Sequence, residues 1–166
     1  MVAALDRLGA LGLALPDVVP PLASYQPAVR AGDVVWTSGQ LPMSGGSLLA
    51  AGTVGTGEGH VSPDDAVGLA RTCALNALAA VASQLRDGET LDDVRVVKVV
   101  GFVASDPAFT GQPGVVNGAS ELLGEVLGDA GRHARSAVGV AVLPLGAPVE
   151  VELQALVVPR AAAPAS

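Results

Sequence analysis

Apolar and polar positions along the 166-residue chain repeat with two periods, and the changes of period mark the elements. Residues 2–13 carry Leu5, Leu8 and Leu11 at helical spacing, which predicts a short amphipathic helix. Pro16, Pro20 and Pro21 follow and impose an extended linker, because proline fixes φ and lacks an amide donor. Two short strands are expected at Pro27–Arg30 and Val34–Ser38, with Ala31-Gly32-Asp33 as the turn between them. The Gly-rich stretch 43–60 has no long apolar run and reads as a flexible loop or a ragged hairpin. Its Gly55-Thr56-Gly57-Glu58-Gly59 fragment lacks the spacing of a phosphate cradle, and no clear strand leads into it.

A helix start is then written plainly. Ser62 suits the N-cap, Pro63 the first helical position, and Asp64 and Asp65 complement the positive helix end. Ala66, Leu69, Ala70, Cys73, Ala77, Val81 and Leu85 continue as one stripe, and the helix is expected to end near Asp87-Gly88. Cys73 lies in that stripe and reads as a small core residue rather than a reactive thiol. Val94–Val103 is β-branched and apolar on both faces, as in a central strand. A loop spans Ser105–Pro113, and Gly114–Gly128 reads as a second helix through Leu122, Leu123, Val126 and Leu127. Ser136–Leu143 is expected to be a strand, Pro144–Pro148 a turn, and Val149–Val158 the strand that returns as its hairpin partner.

The order is β-β-α-β-α-β-β after a helical extension. It predicts an α+β fold, a two-layer sandwich of a mixed sheet with two helices. Residues 1–24 form the extension and linker, 25–158 the domain, and 159–166 a disordered tail. One sheet face is left without helices. With half the residues apolar, that face is expected to meet other subunits. Only Tyr25, Trp36, Phe102 and Phe109 are aromatic, so Ala and Val fill the core.

Charge narrows the function classes. Nine Lys and Arg stand against sixteen Asp and Glu, a net charge of −7, with no basic run; a nucleic-acid partner is disfavoured. One cysteine excludes an intrachain disulfide and a cysteine-rich zinc site, and His60 and His133 make no ligand pair, so no catalytic metal is expected. The apolar N-terminus is interrupted by Asp6 and Arg7 without a basic leader, and no apolar run approaches the ~20 residues that span a bilayer. No membrane partner and a cytoplasmic location are the expectation.

Two places carry candidate chemistry. Gly131-Arg132-His133-Ala134-Arg135-Ser136 puts two cations and a hydroxyl where helix gives way to strand, and Arg135 opens that strand. A guanidinium there can grip a carboxylate with two parallel hydrogen bonds; an ordinary surface arginine paired with an acid is an equal alternative. In the last strand Val149, Val151, Leu153 and Ala155 alternate with Glu150, Glu152 and Gln154. Two carboxylates on one strand face usually mark a wet face; the functional alternative is that one is buried and transfers protons. A hairpin centred near Leu145 and Gly146 sets Glu150 opposite Ala141. Arg135 is then some six residues further on, roughly 20 Å away at ~3.4 Å per residue. Acting on one small molecule, the two must come from different subunits.

Several segments come in a familiar order: Tyr25-Gln26-Pro27-Ala28-Val29, Trp36-Thr37-Ser38-Gly39-Gln40-Leu41-Pro42, Val97–Val103, Val116-Asn117-Gly118, Ala134-Arg135-Ser136-Ala137-Val138, and Leu143-Pro144 with Val149-Glu150-Val151-Glu152. Together they resemble the reactive intermediate deaminase family, also called RidA or YjgF-like, over Tyr25–Val158. The N-terminal extension and Gly-rich loop are similar to a longer branch. The resemblance implies a chorismate-mutase-like fold and a homotrimer whose sheets form a central barrel. It also implies a cleft between subunits that takes a small carboxylate-bearing substrate. Such enzymes hydrolyse enamines and imines made from amino acids, such as 2-aminoacrylate, to 2-keto acids and ammonia without a cofactor. By motif, Arg135 would hold the substrate carboxylate and Glu150 would activate water and pass protons. Tyr25, Ser38, Gly39, Asn117, Ser136, Ala137 and Pro144 would line the cleft. Ala137 stands where the family often has cysteine. His133 reads as a cap for the helix end. Three other functions remain: a pathway-specific cyclase, isomerase or ring hydrolase on the same scaffold, a ligand sensor or chaperone, and a ribonuclease, which the acidic balance disfavours.

Overall fold

The computed structural model describes residues 2–18 and 24–158. Strands β1 (Ala28–Ala31), β2 (Val34–Thr37), β5 (Val94–Ala104), β6 (Ala134–Val140) and β7 (Val149–Val157) form one sheet in the order β1-β2-β7-β5-β6. Two long helices, α2 (Pro63–Ala82) and α3 (Gln112–Leu127), pack on each other and on one face of that sheet. The α+β two-layer expectation therefore holds. Pro20, Pro21 and the expected tail lie outside the described residues.

Local sequence explains the principal helix. Ser62 Oγ accepts the Asp65 amide at 3.1 Å, with Pro63 in the first turn, as the N-cap pattern predicts. Its buried face is wider than the expected stripe, adding Ala74, Asn76, Leu78 and Ala80. Cys73 is fully buried within it, and burial pushes its thiol pKa well up, which suits an inert core residue. The helix stops at Ala82, short of Asp87-Gly88. Other bonds claim the backbone groups that continuation would use: the distant Arg30 takes the Gln84 carbonyl, and Glu89, three residues on, takes the Arg86 amide. At 20 residues α2 is also long and apolar enough, by length and composition, to cross a membrane; here much of it is buried against α3 and the sheet.

Two further expectations are corrected, and of the two alternatives for the Gly-rich stretch the hairpin is the one found. In α1 (Ala4–Ala10) Ala4 and Leu8 make the buried edge, while Leu5 and Leu11 are exposed, because this short helix docks through Ala4 N on Asp92 and Arg7 Nε on the Val126 carbonyl. The Gly-rich stretch holds a hairpin, β3 (Met43–Ser44) with β4 (Ser47–Leu48), turned by Gly45 and Gly46 at positive φ. Further along it, Val54 is fully buried and bridges Val61 and Ser105.

The second correction matters for function. β6 and β7 are not hairpin partners: β6 runs parallel to β5, and β7 lies on the other side of β5, antiparallel to it and to β2. The β5–α3–β6 crossover makes a parallel pair that buries α3 against α2 and the sheet. The chain after Val140 then arches over the end of β5, where Ser105 donates to the Val140 carbonyl and Ala104 to that of Pro148. β5 itself buries Val94, Val96, Val99 and Val103 towards the helices, and a bulge at Val97 keeps the phase. Its other face, with Lys98, Val100 and Phe102, joins Val29, Trp36 and Val138 on the uncovered side of the sheet.

Candidate functional site

β2 and β7 separate at one end, and a pocket opens between them. Thr37, nearly buried, spends its side-chain oxygen on the Leu153 amide, and Gln40 rejoins β7 through two backbone bonds to Val151. Between them Ser38 turns its amide to Pro27 and its hydroxyl to the Gln26 carbonyl. A cavity of about 330 Å³ fills this split, with Tyr25, Ser38, Gly39, Pro144, Glu150 and Glu152 among its lining.

Glu150 lies directly over Gly39. A Cβ at residue 39 would stand 1.6 Å from Glu150 Oε1 and 2.5 Å from its carboxyl carbon, so the absence of a side chain at Gly39 is what lets the carboxyl lie here. Burial raises the proton affinity of Glu150 above the usual carboxylate range, and the neighbouring Glu152 charge adds to it. Glu152 is raised by burial too. Among the described residues neither forms a salt bridge. A carboxyl so placed gives and takes protons nearer neutrality than an exposed one.

The opposite wall is fastened by Asn76, which sequence reasoning passed over as one more position of α2. Its Nδ2 donates to the Leu41 carbonyl at 2.9 Å and the Met43 carbonyl at 3.0 Å. A polar residue inside an otherwise Ala- and Leu-rich helix was the available signal.

Arg135 is elsewhere. It pairs in register with Val99, so its side chain projects to the helix face, whereas Glu150 pairs with Phe102 and belongs to the uncovered face. Arg135 Nη1 donates to Asn117 Oδ1 at 2.9 Å and Ser120 Oγ at 3.0 Å, and Nη2 to the Pro113 carbonyl at 3.1 Å. The guanidinium is thus braced on α3 with two of its five donors, Nε–H and one on Nη2, uncommitted among the described residues.

The expected site residues therefore fall into two groups. Tyr25, Ser38, Gly39, Pro144 and Glu150 come together around the cavity. Arg135 and Asn117 meet on the other side of the sheet. Ser136 follows Arg135 in sequence but faces away from it, with its hydroxyl accepting from Lys98 Nζ at 2.8 Å. Ala137 is partly buried against the core. The expected separation of Arg135 and Glu150 along a β6–β7 hairpin is replaced by a different one: the two lie three register positions apart along β5 and on opposite faces of the sheet. No three His, Cys, Asp or Glu side chains cluster in a metal-binding arrangement among the described residues.

Comparison with known proteins places this geometry. Residues 5–157 match a family model described as "YjgF/chorismate mutase-like, putative endoribonuclease". Protein TCP17 of Trypanosoma cruzi is 42% identical over 148 residues, covering 88% of this chain and 89% of that one. The crystal structure of Atu1372 from Agrobacterium tumefaciens superposes with a TM-score of 0.82 at 42% identity, covering 93% of this chain and 92% of that one. The structure of Escherichia coli TdcF with bound serine aligns at a TM-score of 0.57 and 25% identity, over 85% of this chain and 91% of that one.

Proposed function

Because the chain belongs to the YjgF/chorismate mutase-like family, we propose that it hydrolyses enamine and imine intermediates of amino acids to 2-keto acids and ammonia, in a homotrimer whose clefts join Glu150 of one subunit to Arg135 of the next. The observation that carries this reading is the Glu150 carboxyl, half-buried over Gly39 with its proton affinity raised. Protonated, it delivers a proton to the β-carbon of an enamine and forms the iminium. Ionised, it takes a proton from water as the oxygen attacks the imine carbon. A proton on nitrogen then lets the C–N bond break, ammonia leaves, and the carbonyl forms. The net reaction consumes one water and needs no redox partner. An imine is already electrophilic, so placement and one proton-transfer group suffice.

Substrate recognition falls to Arg135, whose uncommitted Nε–H and Nη2–H suit a carboxylate. The two residues face opposite sides of one sheet, so a shared substrate requires a second subunit. The exposed Trp36, Val97 and Val138 on the uncovered face, and the edges of β1 and β6, unpaired among the described residues, support such an assembly. Bound serine in TdcF, an amino acid with both a carboxylate and a nitrogen, is consistent with this substrate class. A polyanionic RNA fits poorly with two carboxylates in the pocket that form no salt bridge among the described residues, and with a chain charge of −7.

The test is ammonia release from a freshly generated amino-acid imine, run beside light scattering and an RNA-degradation control. Turnover by a trimer is expected. Imine turnover no faster than in buffer, a stable monomer at micromolar concentration, or RNA cleavage without imine turnover would each overturn the proposal.

A further inference from the structure

We propose that His133 is a positioning residue for Arg135, acting through Ser120; this rests on the reading of Arg135 as the carboxylate grip. The chain of bonds is directional. His133 Nδ1 lies 2.6 Å from the Gly131 carbonyl, which can only accept, so Nδ1 carries the proton. In that tautomer Nε2 carries the lone pair, 3.0 Å from Ser120 Oγ. Ser120 spends its single proton on that lone pair, and its own lone pairs are left to face Arg135 Nη1 at 3.0 Å.

The far end of the relay is held in place by packing. Gly131 ends the 3-10 turn Gly128–Gly131 and is pressed on α3 so closely that a Cβ there would stand 2.2 Å from the Leu123 carbonyl. The carbonyl that fixes the His133 tautomer is therefore itself fixed. His133 does bond the end of a helical turn, as a cap would, but its second nitrogen is what matters for the site. Without that acceptor the Ser120 hydroxyl is free to rotate and bond back to its own helix, as serines do, turning its lone pairs off the guanidinium. Nη1 would keep Asn117 and lose its second brace. The Nε–H and Nη2–H pair would then be presented over a wider range of angles, and a planar two-pronged contact is sensitive to angle.

Two readouts test this. Nitrogen-15 NMR of the Arg135 side chain, assigned by comparison with Arg135→Lys, reports how firmly Nη1 is held without any ligand. Calorimetric titration with pyruvate, and KM and kcat for imine turnover, report the consequence. Ser120→Ala and His133→Leu should speed solvent exchange of the Nη1 hydrogens. Both should weaken pyruvate binding about three- to tenfold, raising KM more than they lower kcat. His133→Gln keeps an acceptor for Ser120 and a donor for Gly131 and should restore parent values. The His133→Leu/Ser120→Ala double variant should be no worse than Ser120→Ala, because the two act in series. Unchanged Nη1 exchange in folded His133→Leu, a His133→Gln variant as poor as His133→Leu, or additive losses would overturn the relay. Arg135→Ala separates the two claims: if it binds pyruvate like the parent, the carboxylate-grip reading fails, while the exchange measurement still decides the positioning of Arg135.

Discussion

Gly39→Ala is the smallest change that addresses the Glu150 carboxyl without touching it. The new methyl group would sit 1.6 Å from Glu150 Oε1, 2.5 Å from Cδ and 2.9 Å from Cγ. Real Cβ atoms do not approach within 3.0 Å, so the oxygen must retreat by about 1.4 Å. The obstacle is the end of a flexible side chain rather than backbone, and the pocket beside it is open. Glu150 therefore swings away at the modest cost of an altered rotamer, ~0.5–1.5 kcal/mol. Folding and assembly should survive. Catalysis should not: a misplacement of about 1 Å at a reacting group costs on the order of a hundredfold in rate.

The assay is kcat for ammonia release, with melting temperature and mass measured in parallel. If Gly39 acts only through Glu150, then Gly39→Ala/Glu150→Gln should be no slower than Glu150→Gln alone. That non-additivity separates displacement of one carboxyl from general damage to the pocket. A Gly39→Ala enzyme with parental kcat would refute the placement of Glu150 over Gly39 as catalytically significant. A double variant slower by the product of the single losses would refute the mechanism by which Gly39 acts.

Glu150→Gln should also stabilise the protein in a pH-dependent way. The folded carboxyl holds its proton more tightly than the unfolded one, so its contribution is favourable at low pH and is lost as pH rises through the raised folded value. The variant should melt higher than the parent at pH 7.5 and equal to it near pH 4; the same difference at both pH values would contradict the burial argument. Asn76→Leu strips the donor from one fully buried bond to the Leu41 carbonyl and one partly buried bond to the Met43 carbonyl. At about 1–3 kcal/mol for a buried unsatisfied group, the loss should total ~2–4 kcal/mol. That corresponds to a fall of about 5–12 °C in melting temperature, and a fall below about 2 °C would show that the wall re-bonds without it. Arg135→Lys keeps the charge and loses the planar fork, so pyruvate binding should weaken by roughly tenfold; calorimetry giving the parental affinity would make Arg135 an ordinary surface arginine.

How much of this was legible in the sequence depends on whether the deciding interaction was local. The α2 start was readable because Ser62, Pro63 and Asp65 act within one turn. Its end was not, because the Gln84 carbonyl goes to Arg30, a residue reached only through the fold, and the Arg86 amide turns to the nearby Glu89, itself held by the same Arg30. Arg30 shows how far tertiary context goes: its hydrogen bonds, with that of the neighbouring Arg86 amide, pull the Glu89 carboxyl down to about 2, and the larger of these two influences comes from a residue distant in sequence. The partners of Arg135 had the same difficulty. Asn117 was reachable through its motif, but Ser120 and the orientation of His133 follow from α3 packing across β6.

The strand pairing is the more instructive failure, because a wrong pairing led to a usable inference. Two apolar strands joined through Pro144 and Gly146 read naturally as a hairpin, since turn residues act locally and the strand between which they insert does not. The alternative, in which β5 occupies the space between them, requires the β5–α3–β6 crossover, and that is favoured by the apolar face α3 shares with α2. In a hairpin, distance along the strands would separate Arg135 from Glu150. In the observed sheet they are separated by face: Arg135 aligns with Val99 on the helix side, and Glu150 with Phe102 on the open side. Distance along a strand can be reduced by a bend or a long substrate. Opposite faces of one hydrogen-bonded sheet cannot be joined by a small molecule at all, so the observed topology makes the stronger case that a shared substrate needs a second copy of the chain.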